Sequence, residues 1–387
     1  MLAPLVTNRL RDRMHVLHWG TFDLGKPRTR ILRAGIRATG ATLRDCHRPL
    51  WTGLEDKIQE TGRLQRLWIL VRWVAGYPVL VWRFLRGPRP DVVLISFPGV
   101  LDTLVLAPFA RFRGVPLVLD LFISAYDTLV FDRRLVREGS LGARLVRWVE
   151  RLALRAADLV FLDTETHARR IEEVFDLPPG SCGAVLVGAE SEHFQPRASG
   201  AHRPPDGPLQ VLFYGQFIPL HGIETIVATA RLMQEEAVEW TLIGRGQQAK
   251  HIRRLLQEVP LPKLRWTEWV KYAELHNWIA EADLCLGIFG TTEKAASVIP
   301  NKVFQTVATG RPIATRDSPA IRELLAHSPP CAYLVPPGDP NALAAAVRAH
   351  QGHNARSSCH APLASRIAAP EIGQQFVALV TQRLGSR

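Results

Sequence analysis

The stretch that most constrains this chain is Ala282 to Leu325, ADLCLGIFGTTEKAASVIPNKVFQTVATGRPIATRDSPAIRELL. An apolar strand, Leu284 to Phe289, is expected to run into a polar loop, Gly290 to Ser297. Pro300 then opens a helix over Asn301 to Thr309, Gly310 stops it, and a second apolar strand follows Pro312. The pattern predicts a βαβ unit whose long loop leaves the carboxyl end of a strand and enters a helix N-terminus, where open parallel sheets bind anions. Lys302 falls in the first turn of that helix, where a cation opposes the helix dipole. A bound anion explains it better than helix stability does.

With 387 residues the chain exceeds one core of ordinary size, so two α/β domains are expected. The boundary is placed in Arg197 to Pro208, which is rich in Pro, Gly, Ser and His and has no periodicity. Residues 1–200 and 208–365 form the two domains, and 366–387 a terminal helix. A hydrophobic content of 47% with 22% charge excludes a disordered chain. The net charge of +12 is carried by arginine, since only seven of 48 basic residues are lysine. It points to a phosphorylated partner or an anionic membrane surface, although a coding bias toward arginine gives the same composition. Five cysteines without a C-x-x-C pair predict neither a disulfide framework nor a zinc site, and fit a reducing cytoplasm. No signal-peptide pattern is visible, and Leu67 to Leu85, interrupted by Arg72, Pro78 and Arg83, fails as a spanning helix.

In chain order, Met14 to Trp19 reads as a strand, followed by Gly20 and a helix over Arg28 to Gly40. Arg28 and Arg30 either stand in solvent or reach a phosphate or acceptor. Leu64 to Arg86, with Trp68, Trp73 and Trp82 among arginines, fits either a helix packed inside the first domain or an in-plane membrane helix. Asp91 to Ser96 and Pro116 to Asp120 are buried-strand runs. Asp120 ends its strand, where it either faces a ligand crevice or caps a helix. An amphipathic basic helix, Leu141 to Ala157, precedes the strand Leu159 to Leu162, and Asp163, Thr164 and Glu165 cap the next helix. A strand is expected from Val185. After the linker the pattern restarts with strands at Leu209 to Tyr214, Trp240 to Ile243, Leu264 to Trp269 and Tyr333 to Val335.

Gly244-x-Gly246-x-x-Ala249, with Glu268 on the next strand, has the form of the dinucleotide fingerprint. That fingerprint belongs on a sheet's first βα turn, whereas Leu209 to Met233 is an earlier unit, so an NAD-dependent oxidoreductase is the lesser reading. Gln216, His221, Arg245, Lys294 and Lys302 all follow strands and converge on one sheet edge. Beside glycines that expose backbone N–H groups, they describe a pyrophosphate cradle. No Asp-x-Asp pair stands where it would clamp a divalent ion, so neither a metal nor a cofactor is expected. Nucleic acid is not among the expected partners.

The runs VLFYGQFIPLHGIETIVATARLM, TLIGRG, EADLCLGIF, IPNKVFQTVATGRPIATRDSPAIREL and YLVPPGDPNALAAAV resemble the donor domain of retaining GT-B glycosyltransferases of family four, the glycosyl transferases group 1. VGAESEHFQP resembles the run before that family's linker, and HWGTFDLGKPRTRILRAGI its amino-terminal loop and helix. The resemblance implies two Rossmann-like doubly wound domains around a central cleft, with the terminal helix crossing back to the first. It implies transfer of a hexose from a nucleotide diphosphate sugar, with retention, to a lipid-linked or saccharide acceptor in envelope polysaccharide or glycolipid synthesis. The enzyme would be cytoplasmic, with peripheral contact at an anionic inner membrane face. The family's basic pair falls on Gln216 and His221, leaving Lys302 and Arg245 to carry the phosphate charge with the Gly215 and Gly290 loops. The second of the family's two glutamates falls on Gln305. Either Glu293 replaces the first, or Lys294 and Ser297 contact the sugar. Asn301 opens the same helix, Val270 lies at the base, and Asp120 and Gly20 approach from the acceptor side. A degenerate, non-catalytic scaffold of the same fold is the alternative.

Overall fold

A computed structural model describes residues 14–50, 71–196, 207–326, 331–351 and 359–385. The expected linker, Arg197 to Pro208, up to residue 206, and the first part of the Trp/Arg stretch, up to residue 70, lie outside the described residues. The chain divides into two compact units. One comprises residues 1–128, 136–187 and 369–387, the other 129–135 and 188–368.

The first unit is built on six parallel strands: His15–Gly20 (β1), Thr42–His47 (β2), Val92–Ile95 (β3), Leu117–Asp120 (β4), Leu159–Leu162 (β5) and Cys182–Ala184 (β6). Their order across the sheet is β2-β1-β3-β4-β5-β6. β3, β4 and β5 are buried at every residue, as an unbroken Val/Leu/Ile run must be when helices cover both faces. β2 was not anticipated. Its sequence, TLRDCH, is largely polar, which an edge strand tolerates. The strand expected from Val185 instead occupies Cys182–Ala184.

The helix Ala369–Leu384 belongs to this first unit. It meets the Pro27–Ala38 helix at two glycines. A Cβ on Gly373 would stand 2.0 Å from the Gly35 carbonyl oxygen, and one on Gly35 2.2 Å from that of Ala369. Helix Leu141–Ala156 is capped by Ser140, and Thr164 caps Glu165–Phe175 by accepting from the His167 backbone N–H at 2.9 Å.

The second unit carries Leu209–Tyr214 (β7), Val238–Ile243 (β8), Leu264–Thr267 (β9), Leu284–Leu286 (β10), Ile313–Arg316 (β11) and Ala332–Val335 (β12), again all parallel. The order is β12-β11-β10-β7-β8-β9, so the chain winds outward in opposite directions from β7. Phe213, Trp240, Leu284, Phe289 and Val347 lie in one fully buried core around this sheet. β10 is shorter than its apolar run: beyond it the Ile288 N–H donates to the Thr315 hydroxyl at 3.2 Å in place of a backbone carbonyl, while the Arg316 N–H still donates to the Ile288 carbonyl at 2.7 Å. The sequence reading of the cysteines is corrected here: Cys331 and Cys359, 28 residues apart, form a disulfide. Their spacing in sequence gave no sign of this. Among the described residues no helix is long and apolar enough to cross a membrane.

Candidate functional site

The switch in winding direction lies between β7 and β10. In a doubly wound sheet the loops leaving those two strands diverge and open a crevice at their carboxyl ends. Here the two loops are stitched together by their backbones. Phe289 N–H donates to the His221 carbonyl at 3.0 Å, and Gly290 N–H to that of Leu220 at 3.2 Å. The approach requires glycine: a Cβ on Gly290 would fall 2.4 Å from the carbonyl oxygens of Leu220 and Pro219. Arg316, buried at the end of β11, donates to the carbonyls of Gly290 and Thr292 and fixes the second loop from below.

That second loop is not the open loop expected from sequence. Thr292 accepts from the Ala295 N–H at 3.2 Å and starts a short helix, Glu293–Ser297. Glu293 is exposed at its first residue, whereas Lys294 and Ser297 are buried. The Ser297 hydroxyl donates to the Lys294 carbonyl at 3.0 Å, a contact within the helix itself. Pro300 then caps the helix Asn301–Ala308 in extended conformation. Asn301 is half-buried, and its Oδ1 has no hydrogen-bond partner among the described residues.

Lys302 is the unusual residue. It is 5% exposed, and among the described residues its Nζ has no hydrogen-bond partner. Nζ lies 3.7 Å from the centre of the Phe213 ring. A Cβ on Gly215 would come within 2.9 Å of Nζ and 3.1 Å of His221 Cε1. Gly215 has φ +141°, so its missing side chain is what leaves room between the two basic groups. His221 Nδ1 hydrogen-bonds the Gln216 carbonyl. Burial holds the Lys302 ammonium well below its ordinary pKa. Burial, and next the charge of Lys302, hold His221 well below its own. A buried cation is ordinarily paired. This one points at a second basic group, with backbone glycine between, at a helix N-terminus. An anion would meet every one of those demands.

One turn along the same helix, the buried Gln305 donates from Nε2 to Tyr272 Oη at 3.3 Å, and Tyr272 donates to Glu190 Oε2 at 2.5 Å. Phe194 packs edge-on against the Tyr272 ring, with centroids 5.7 Å apart. Neither Tyr272 nor Glu190 was singled out from sequence. The quoted run VGAESEHFQP holds Glu190 and Phe194, but nothing in it names a partner 82 residues away. Arg316 was missed because it reads as an ordinary strand-end arginine.

The remaining expected residues are spread more widely. Arg245 is exposed, and its carbonyl accepts from the Phe217 N–H at 2.9 Å. Val270 is half-buried beyond β9. The glycine pair around Arg245 has a structural cause. A Cβ on Gly244 would fall 1.9 Å from the Gly215 carbonyl oxygen, and one on Gly246 2.8 Å from the backbone of Phe217. The dinucleotide-like pattern is therefore filled by the chain itself, with Phe217 stacked on Trp266 at 5.1 Å.

In the first unit, Gly20 ends β1 at φ +116°, and a Cβ there would strike Asp102 Oδ2 at 2.1 Å. Asp120 is 1% exposed and paired with Arg28 Nε at 2.7 Å. Burial raises its pKa while Arg28 opposes the rise. Arg28 also donates to the carbonyls of Val185, at 3.0 Å, and Leu162, at 3.2 Å. Its expected place in solvent or on a phosphate is corrected: this guanidinium ties β4, β5 and the chain after β6 together from inside.

Comparison with known proteins covers both units. The family model described as Glycosyl transferases group 1 matches residues 208–350, and that of the Glycosyl transferase 4-like domain matches residues 9–185. The chain is 27% identical over 272 residues to the probable glycosyltransferase WbjE of Pseudomonas aeruginosa, over 67% of this chain and 64% of the relative. It is 24% identical over 181 residues to the amylovoran biosynthesis glycosyltransferase AmsK of Erwinia amylovora, over 45% of this chain and 43% of the relative. It thus spans less than two thirds of the length of both. Among solved structures, sucrose-phosphate synthase from Thermosynechococcus elongatus superposes with a TM-score of 0.70 at 16% identity, over 97% of this chain and 100% of the other. Anabaena HepE in complex with UDP-glucose superposes with a TM-score of 0.63 at 13% identity, over 96% and 99%. At these identities the likeness is one of fold: two Rossmann-like domains of the GT-B type.

Proposed function

The chain belongs to the group 1 glycosyl transferases, and from that premise we propose that it transfers a hexose, with retention, from a nucleotide diphosphate sugar to a lipid-linked or saccharide acceptor. The product would enter an envelope polysaccharide or glycolipid, at an inner membrane face the enzyme touches peripherally. The observation that carries the donor assignment is the unpaired Lys302 ammonium beside Gly215 and His221.

The diphosphate seats at the N-terminus of Asn301–Ala308. Lys302 supplies the charge, Asn301 the polar rim, and the Gly215 and Gly290 turns the close backbone approach. As the bond from sugar to phosphate breaks, negative charge builds on the departing diphosphate, and donors already aimed at it stabilise the transition state more than the ground state. In this reading these protein groups carry the neutralisation of the departing diphosphate. Arg245 and Gln216 flank the phosphates. Gln305, tethered to Tyr272, hydrogen-bonds ribose without charge. Val270 lies against the base, and Glu293, Lys294 and Ser297 border the sugar. HepE binds UDP-glucose, so uridine diphosphate sugars are the first donors to test.

A second reading, a non-catalytic GT-B scaffold, is favoured by one observation: Gln305 stands where the family's second glutamate is expected. A panel of UDP-, GDP- and ADP-sugars separates the two. Donor-dependent transfer or hydrolysis, with the anomer of the product read by NMR, supports the enzyme. Nucleotide binding with no turnover on any donor supports the scaffold.

A further inference from the structure

Helix Leu141–Ala156 is buried on one side through Ala143, Glu150, Ala153 and Leu154. Its opposite side is apolar and uncovered. Leu141 is 84% exposed, Leu145 60%, Trp148 59% and Leu152 39%. At 100° per residue these four positions fall within about 60° of one another, a single stripe along the whole helix. Arg144 and Arg155 are exposed along one flank of it, with Arg151 beside them paired to Asp176 at 3.5 Å. The helix has one acidic residue, Glu150, and it faces inward, bonded to Ser124 and the Ala125 and Tyr126 backbone. Helix Val100–Arg113 packs against this helix and against Tyr77–Arg86. Its Phe112 is 85% exposed, and Trp82 of Tyr77–Arg86 57%, with the Arg86 guanidinium 5.7 Å from the Trp82 ring.

We infer that this stripe, bordered by arginine, is the surface on which the first unit docks to an anionic phospholipid bilayer. It gives a place to the peripheral membrane contact proposed above, and rests on that reading. Leucine and indole side chains insert at the acyl boundary while guanidinium groups meet phosphate headgroups. Charge complementarity selects this occupant: the uncovered stripe is apolar and its flank cationic, and a neutral partner would leave Arg144 and Arg155 unmatched. The expected face moves accordingly, from the Leu64 to Arg86 stretch alone to one centred on Leu141–Ala156.

The test is co-sedimentation of the full chain with phosphatidylcholine vesicles, with and without phosphatidylglycerol, at low and high salt. The expected result is binding only to the anionic vesicles, weakened by salt. Leu145→Glu with Trp148→Glu should abolish it, while Arg144→Ser with Arg155→Ser should lower partitioning about fivefold per arginine. An unchanged melting transition of the first unit keeps a folding defect distinct. Wild-type binding that survives Leu145→Glu with Trp148→Glu overturns this face while leaving a membrane contact elsewhere. Absence of wild-type binding overturns both. A wild-type dimer that the same pair of substitutions makes monomeric would assign the stripe to a second copy instead. None of these outcomes bears on the donor site.

Discussion

Lys302 Nζ lies 3.7 Å from the centre of the Phe213 ring, above an aromatic face in place of a carboxylate. The ring quadrupole returns part of the electrostatic energy lost on burial, yet takes no hydrogen bond that a ligand's oxygens would need. A carboxylate there would have stabilised the cation and blocked the anion site. The residues that surround Lys302 therefore set up three expectations, and the glycine contact under the terminal helix a fourth.

Gly215→Ala should weaken nucleotide diphosphate binding. The added methyl group would stand 2.9 Å from Lys302 Nζ and 3.1 Å from His221, at φ +141° where a side chain is strained. About 1–3 kcal/mol of stability should be lost as well. Calorimetric titration with UDP, beside a melting curve, checks both. Unchanged affinity would mean that the diphosphate does not use this gap.

Nucleotide binding should depend on pH through Lys302. Burial lowers the pKa of the folded, ligand-free ammonium, and a bound anion raises it again. Affinity is then greatest below the ligand-free pKa and falls as pH rises toward that of the complex. In the ligand-free protein the sign is opposite: the depressed pKa costs stability at low pH, and the cost is relieved as pH rises through the folded value. UDP titrations from neutral to alkaline pH should show the decline in the native protein and none in Lys302→Met.

Gln305→Ala should raise the donor KM more than it lowers kcat, because a neutral hydrogen bond to ribose is made equally in the ground and transition states. Tyr272→Phe, which removes the phenol that Gln305 bonds at 3.3 Å, should act in the same direction and more weakly. Steady-state kinetics on both variants is the check.

Gly373→Leu should unfold the first unit without touching donor chemistry. The Cβ alone would lie 2.0 Å from the Gly35 carbonyl oxygen, so the terminal helix cannot stay docked. A loss of about 1–3 kcal/mol or more is expected for such overpacking. Thermal unfolding should show the first unit melting earlier while UDP still protects the second.

Much of this fold was readable because its strands are short apolar runs closed by glycine, and Gly215, Gly222 and Gly290 marked the loops at the sheet's switch point. The odd placement of Lys302 was readable too, since a cation in a first helical turn opposes the dipole. Pairings between residues far apart in sequence were not. Arg28 with Asp120, Tyr272 with Glu190, and Cys331 with Cys359 each depend on how the chain returns to itself, which no local pattern encodes. Gly244 and Gly246 misled for a related reason: glycines needed to admit a ligand and glycines needed to admit Phe217 look the same in sequence. The short Glu293–Ser297 helix escaped because five residues are too few to show periodicity.

The most direct test is a thermal-shift series with UDP, GDP, ADP and NAD on the native protein and on Lys302→Met. A ligand of the folded state must raise its melting temperature. The expected result is a shift with at least one nucleoside diphosphate, none with NAD, and loss of that shift in Lys302→Met, whose own melting temperature rises because an unpaired buried charge has been removed. Turnover in that variant should fall about 100-fold or more. A full nucleotide shift retained by Lys302→Met would contradict the assignment of Lys302 to the donor diphosphate.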